Sequence, residues 1–515
     1  MSLPRAVDRG EPFNLAAACL RAHAEDAASA GRLAFTFVDG ERVERWTYAE
    51  VWAEVQRIAR GLIARGLEPG DRVLVRVPHS PAYAFAFFGA NLAGLVPIPA
   101  SPQLTDEEAR FLAEDSEACA LIATPQSHLG GFAGLVLLPD DLARLDGPGP
   151  LPTTHAEDAA YMLYTSGTTA RPKGVLHAQR VVRARDWMRG DAWEGLRADD
   201  VTLHAGTLNW SYTMGVGLMD PWRAGAHAVL CAGGVEPGAW PGIIERFGVT
   251  VFAAVPTVYR QLLKYGRPED ANLHALRHGL CAGEALPPSV AAEWRERVGR
   301  PLYESLGMTE VSTYISCGPG VPVRAGSPGR PQPGRRVAVL AEDAEAGDEP
   351  LPSGEPGLLA VHRSDPGLML GYWRRPAEEA AAYRGEWFTG GDRVAIDAVG
   401  YVWFHGRADD VIKSFGYRLS PVEIEAALAS APGVAEVAVV GRAIDAEKTL
   451  VTACVVTEGG AALDEAALRA HASAHLAGYK QPHEYVRVEV LPRTANGKVQ
   501  RRVLLARLRG ETDER

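Results

Sequence analysis

Between Asp71 and Cys281, short apolar runs of β-forming residues alternate with amphipathic, helix-type stretches, and this alternation restricts the possible folds more than any other property of the chain. Val73-Leu-Val-Arg-Val77 precedes a helical pattern over 82–92, and Val96-Pro-Ile98 follows it. The rhythm returns at Leu121-Ile-Ala123, Tyr161-Met-Leu-Tyr164, Ala228-Val-Leu230, Val249-Thr-Val-Phe252 and His278-Gly-Leu-Cys281. Successive strands joined by helical crossovers run parallel and are covered on both faces, so the pattern predicts an α/β fold around a largely parallel sheet. Thr47-Tyr-Ala-Glu50 and Thr105-Asp-Glu-Glu108 fit capping boxes, in which a hydroxyl and a carboxylate satisfy each other's backbone donors at a helix start.

After about Gly326 the texture changes to short strands punctuated by Gly and Pro, at Val337-Ala-Val-Leu340, Leu358-Leu-Ala-Val361 and Tyr401-Val-Trp-Phe404. They indicate a small β-rich subdomain. A fresh pattern then begins: Ser420-Pro-Val-Glu423 is expected to cap a helix, strands are expected at 434–440 and 450–456, and a further helix at 464–476. The organisation expected is an N-terminal domain over 1–408, built of parallel-type βαβ subdomains plus the β-rich one, and a small α+β C-terminal domain over 409–515.

The 515 residues are 47% hydrophobic and 23% charged, which excludes a disordered chain, and a net charge of −11 works against nucleic acid or an anionic membrane surface as partner. Cys19, Cys119, Cys231, Cys281, Cys317 and Cys454 are scattered singly, as reduced thiols and not as zinc ligands. No stretch approaches the roughly 18 uninterrupted apolar residues of a membrane span, and residues 1–12 lack a signal-peptide core. A soluble, cytoplasmic protein acting on small molecules is expected.

The segment Tyr164-Thr-Ser-Gly-Thr-Thr-Ala-Arg-Pro-Lys-Gly174 follows an apolar strand directly. Its small residues open backbone N–H groups and hydroxyls to phosphate oxygens, and Lys173 adds a charge. It is not a P-loop, because Pro172 stands where the second glycine of that motif belongs.

This string resembles the phosphate loop of the adenylate-forming superfamily, which includes acyl-CoA synthetases, adenylation domains of nonribosomal peptide synthesis and luciferases. Four more segments match that family in order: Glu304-Ser-Leu-Gly-Met-Thr-Glu310, Trp387-Phe-Thr-Gly-Gly-Asp392, Gly406-Arg-Ala-Asp-Asp-Val-Ile-Lys413 and Pro492-Arg-Thr-Ala-Asn-Gly-Lys498. The resemblance spans almost the whole chain and is nearest to benzoate–CoA ligase-like and medium-chain acyl-CoA ligase members. It implies a mobile C-terminal domain hinged at Asp409. It implies that Thr165, Ser166, Gly167, Thr168, Thr169, Lys173 and Gly174 hold ATP phosphates. Gly283, Glu284 and Ala285 are similar to the family's adenine-contacting turn, with Glu304, Ser305 and Leu306 following in the adenine-and-magnesium motif. Thr309 would contact phosphate and Glu310 would hold Mg²⁺. Asp392 would accept from the ribose hydroxyls, Arg407 would pair with ribose or phosphate oxygens, Arg418 would meet phosphate, and Lys498 would stabilise charge during adenylation.

The implied reaction joins a carboxylic acid to ATP as an acyl-adenylate and then to coenzyme A as a thioester. Trp210, Tyr212, Gly215, Gly307, Met308 and Val311 match the acid-binding region, and Leu306 leaves more room there than an aromatic residue. No Lys, Arg or His falls within 209–217 or 306–308. The pocket is therefore expected to be apolar and uncharged, suited to benzoate-type or short- to medium-chain monocarboxylates and poor for dicarboxylates or amino acids. Two alternatives stay open: transfer of the acyl group to a carrier-protein phosphopantetheine, and a catalytically silent nucleotide-binding protein. A homodimer is also compatible with the resemblance.

Overall fold

A computed structural model describes residues 10–165, 172–343, 347–408, 412–414, 417–444, 449–476, 478–493 and 499–510, with backbone alone at 413, 417, 418 and 479. The chain divides into two compact units: Met1–Val337 with Val361–Phe388, and Ala338–Ala360 with Thr389–Arg515.

In the first unit a nine-stranded sheet runs in the order Arg330–Pro331, Ser312–Ser316, Leu302–Met308, His278–Ala282, Val251–Ala254, Val201–His204, His227–Cys231, Leu33–Asp39, Arg42–Thr47. The six strands from Leu302–Met308 to Leu33–Asp39 are mutually parallel, and antiparallel partners close both sides. A second, all-parallel sheet has the order Val96–Pro99, Arg72–Arg76, Ala120–Ala123, Leu135–Leu137. The α/β class expected from the alternation is thus the observed one. The run at Tyr161 departs from the expected rhythm. Its strand, Ala159–Thr165, pairs antiparallel with Lys173–Ala178, Thr165 opposite Lys173. The stretch between them is too short for the crossover that a parallel pair requires.

Both capping boxes form. Glu50 N–H donates to Thr47 Oγ1 (3.3 Å) while Thr47 N–H donates to Glu50 Oε2 (2.8 Å), and Thr105 and Glu108 repeat the arrangement. The helix Pro81–Leu92 has ten of its twelve residues buried, as its PAYAFAFFGANL composition demands, since an element apolar all round must sit inside. Its one polar amide, Asn91, is fully satisfied: Oδ1 accepts from Ala16 N–H (3.0 Å) and Nδ2 donates to Ala160 O (2.9 Å). All six cysteines are free thiols, and all but Cys119 are buried.

In the second unit the strand Val434–Ala443 pairs antiparallel with Thr449–Thr457, which pairs in parallel with Glu484–Arg487. Helices Pro421–Leu428 and Glu465–His475 cover one face through Ile424, Leu428, Leu468 and Ala472, packed with Val439, Val451 and Val455. Leu504, from the helix Arg501–Leu508, packs with Ala438, Val440 and Cys454. Ser420 does precede the helix Pro421–Leu428, but its hydroxyl donates to His405 O (2.5 Å) and makes no capping bond. Asp464 caps the next helix, accepting from Ala467 N–H (3.0 Å).

Candidate active site

The parallel strands of the large sheet end together, with Cys281 opposite Glu304 and Ala282 opposite Ser305, so the turns leaving them converge at their carboxyl ends, where open α/β sheets hold ligands. Gly283 leaves its strand at φ +95°, and a Cβ there would come within 3.0 Å of the Trp210 ring. Trp210 packs edge-on against Tyr212, ring centroids 5.2 Å apart. The adenine-turn candidate and the acid-side candidate are therefore neighbours. Thr257 Oγ1 donates to Glu284 Oε2 (3.3 Å), and Glu304 Oε1 accepts Leu286 N–H (2.9 Å), so Glu304 fixes the turn after Ala285. Burial pushes the Glu304 carboxyl up to about 7. Ser305 spends its hydroxyl on Ile315 O across the hairpin (2.9 Å).

The pairing of Leu302–Met308 with Ser312–Ser316 slips between Leu306 and Gly307. A Cβ on Gly307 would run into Ser312 O, and Ser312 itself has φ +74°, a conformation that few non-glycine residues adopt. The tight return presents Thr309 and Glu310. Tyr372 OH donates to Glu310 Oε1 (2.8 Å), Lys173 Nζ lies 4.7 Å from the Tyr372 ring centroid, and Lys173 pairs with Glu378 Oε2 at 2.8 Å. Lys173 and Glu310, more than a hundred residues apart, thus share one network, and Gly174 O accepts Trp373 N–H (2.7 Å) behind it. Tyr372 and Glu378 carried no signal in the sequence analysis.

A narrow cavity is walled by Phe87, Tyr161, Leu163, Met214 and Thr309, together with Arg185. Of the acid-side candidates, Tyr212 (7% exposed) stacks with Trp193 in the core, Val311 is fully buried, Met308 stands opposite Ser312, and Gly215 abuts Arg185. The pocket expected to be uncharged therefore has a guanidinium in its wall. Segments 209–217 and 306–308 carry no cation, but a third element, the helix Val181–Arg189, supplies one. Sequence reasoning missed Arg185 because VVRARDWMR reads as a solvated basic helix.

In the second unit, Asp392 and Arg407 are opposite each other on paired strands, with Arg407 Nη1 3.2 Å from Asp392 Oδ1 and Asp392 5% exposed. Ser166, Gly167, Thr168, Thr169, Asp409 and Lys498 lie outside the described residues, as does the side chain of Arg418. Among the described residues no three His, Cys, Asp or Glu side chains cluster as a metal site, and no helix is long and apolar enough to cross a membrane.

The family model for AMP-binding enzyme matches residues 21–373, and that for the AMP-binding enzyme C-terminal domain matches 423–498. The chain is 33% identical to the benzoate–CoA ligase of Thauera aromatica over 483 residues, 88% of this chain and 90% of that one. It is 30% identical to the acetyl-coenzyme A synthetase of Bacillus subtilis (strain 168) over 523 residues, 96% of this chain and 90% of that one. ATP-bound MatB from Rhodopseudomonas palustris superposes with a TM-score of 0.88 at 27% identity, covering 96% of this chain and 99% of that one. With strands, turns and motif residues in this order, and with matches of this extent, the chain belongs to the AMP-binding enzyme family.

Proposed function

We propose that the chain, an AMP-forming acid–thiol ligase by its family, activates a benzoate-type or short- to medium-chain monocarboxylic acid with ATP and passes the acyl group to coenzyme A. The observation that carries this reading is the network of Lys173, Glu378, Tyr372 and Glu310 beside Thr309, which also walls an aromatic and aliphatic cavity. This supports a cation and a carboxylate for the phosphate end, and the mostly apolar wall beside Thr309, with Arg185 in it, supports an acid end.

A carboxylate is a poor electrophile because its oxygen leaves badly. Its attack on the α-phosphorus forms an acyl–O–P bond and expels pyrophosphate. The thiolate then attacks the acyl carbon, the C–O bond breaks, and AMP leaves. Thr165, Ser166, Gly167, Thr168 and Thr169 with Lys173 and Gly174 bind phosphate oxygens, and Thr309 contacts them from the opposite hairpin. Glu310, oriented by the Tyr372 hydroxyl, would hold Mg²⁺, which takes few protein ligands and completes its shell with phosphates and water. When bound, the ion neutralises phosphate charge. Asp392, oriented by Arg407, accepts from the ribose hydroxyls, Arg418 meets phosphate, and Lys498 reaches the carboxylate and α-phosphate to stabilise negative charge as it is redistributed. Asp409 serves as the hinge between 1–408 and 409–515, turning the smaller part between the two half-reactions. The free thiols suit a reducing, cytoplasmic compartment.

ATP–pyrophosphate exchange across acetate, butyrate, hexanoate, benzoate, 4-hydroxybenzoate and malonate tests the reading before the acceptor is known. Exchange with the aromatic and medium-chain acids above acetate and malonate is expected. Preference for acetate or malonate contradicts the acid assignment, and exchange with none of a wide panel contradicts the reaction.

A further inference from the structure

Among the described residues Arg185 is the one charged side chain in the cavity wall, and that side chain is only 5% exposed. Nε donates to Asp220 Oδ1 (2.7 Å), Nη2 to Asp220 Oδ2 (2.5 Å) and Nη1 to Ser312 Oγ (2.7 Å). A guanidinium carries five N–H groups. Among the described residues these bonds use three of them. A second ion pair, Arg223 Nε to Asp186 Oδ1 at 2.6 Å, fastens the same two helices beside the first.

The backbone accommodates this guanidinium at three places. At Gly215 a Cβ would lie against Nη2, so only glycine fits. The helix that begins at Ser211–Met214 widens over Gly215–Met219 into a π-turn, with Asp220 N–H bonded to Gly215 O, before resuming as Asp220–Ala224. Ser312, which accepts from Nη1, holds φ +74°. Single π-turns and strained residues persist where a site over-determines them, and filling apolar space would require none of these features.

We propose that Arg185 is a specificity-determining residue whose remaining guanidinium N–H groups donate to a neutral oxygen at the end of the acid remote from its carboxylate, so that hydroxy- or oxo-substituted acids are selected over their unsubstituted parents. This rests on the ligase reading above. The charge balance distinguishes a neutral acceptor from a second carboxylate. Asp220 already offsets Arg185, and Glu194, fully buried beside them, has its carboxyl pushed up by burial and by Asp220. A second carboxylate would add an uncompensated buried charge, whereas a hydroxyl adds none. An unsubstituted acid that displaces water would leave the N–H groups without acceptors, the situation in which sites built for a hydroxyl discriminate most strongly.

The test is kcat/KM for adenylation with matched pairs: 3-hydroxybenzoate and 4-hydroxybenzoate against benzoate, 6-hydroxyhexanoate against hexanoate, with isophthalate and adipate as dicarboxylates. In the wild-type enzyme at least one substituted acid should exceed its parent by about 10-fold or more, and the dicarboxylates should fall below both. In Arg185→Met that ratio should collapse towards one, whatever happens to the absolute rates. Because Arg185→Met strands Asp220, the double variant Arg185→Met with Asp220→Asn and the milder Ser312→Ala should shift the ratio in the same direction. A wild-type enzyme that prefers the unsubstituted acids or the dicarboxylates overturns the proposal, as does a ratio that the variants leave unchanged. Failure of every acid to support exchange would instead remove the ligase reading on which it rests.

Discussion

At the phosphate end Lys173 is held by Glu378 and the face of Tyr372, and Glu310 by the hydroxyl of the same tyrosine, so both charges are oriented before any nucleotide arrives. In the proposed function phosphate oxygens would compete with Glu378 for the Lys173 ammonium, and a cation already fixed in place would lose little freedom in that exchange. The residues whose motifs could be read from the sequence act at short range: Glu310 follows Thr309 in one turn, and Asp392 meets Arg407 across one hairpin. Arg185 could not be read in that way. Its partners Asp220 and Ser312 lie 35 and 127 residues away, and three arginines in nine residues give the helix the composition of a solvated face. At this scale the account predicts that Lys498→Ala lowers adenylation by about 10²–10³-fold, the usual cost of losing a charge-stabilising donor. Pyrophosphate exchange measures it, and an unchanged thermal midpoint would separate lost chemistry from lost fold.

In the helical stretch from Ser211 through the π-turn to Ala224, widening the turn at Gly215–Met219 brings Asp220 to Arg185. Gly215→Ala should therefore be felt twice. The added methyl must displace a buried guanidinium held by three hydrogen bonds, an overpacking that typically costs about 1–3 kcal/mol, and differential scanning calorimetry should show a lowered midpoint. It should also alter the ratio of kcat/KM between hydroxylated and parent acids, since Arg185 is what moves. Elements defined by local chemistry were legible in the sequence: the capping boxes at Thr47 and Thr105 form, and a helix covers 82–92 as expected, although it is buried nearly all round and not amphipathic. The hairpin Leu33–Thr47 was not, because its pairing with His227–Cys231 closes a loop of nearly two hundred residues and leaves no periodic trace. The strand at Tyr161 was found but given the wrong partner direction, since an apolar run does not encode which way its neighbour points.

For the whole molecule, buried titratable groups set the response to acid. Burial holds His79, His227 and His278 down to about 4 and His177 and His204 down to about 3. Below pH 6.5 the unfolded chain takes up protons at these histidines that the folded chain does not, so stability rises with pH up to about 6.5 and is lost as pH falls from there towards 4. Glu304, raised to about 7, and Glu194, raised by burial, pull the other way, but they are two groups against five. Each unmatched proton is worth about 1.4 kcal/mol per pH unit. The thermal midpoint should fall steeply between pH 6.5 and 5; no change across that interval would contradict the burial of these rings. The proposed hinge at Asp409 belongs to this scale too. Asp409→Pro fixes φ near −65°, and in single turnover thioester formation should suffer more than adenylation; equal loss in both would make Asp409 a structural residue only. The most direct measurement for the central claim is a two-stage mass-spectrometric turnover in which enzyme, ATP, Mg²⁺ and a preferred acid are mixed first without coenzyme A. The account predicts an enzyme-bound acyl-adenylate with stoichiometric pyrophosphate, converted on addition of coenzyme A to acyl-CoA and AMP. Formation of ADP and phosphate, or thioester without any prior acyl-adenylate, would contradict it.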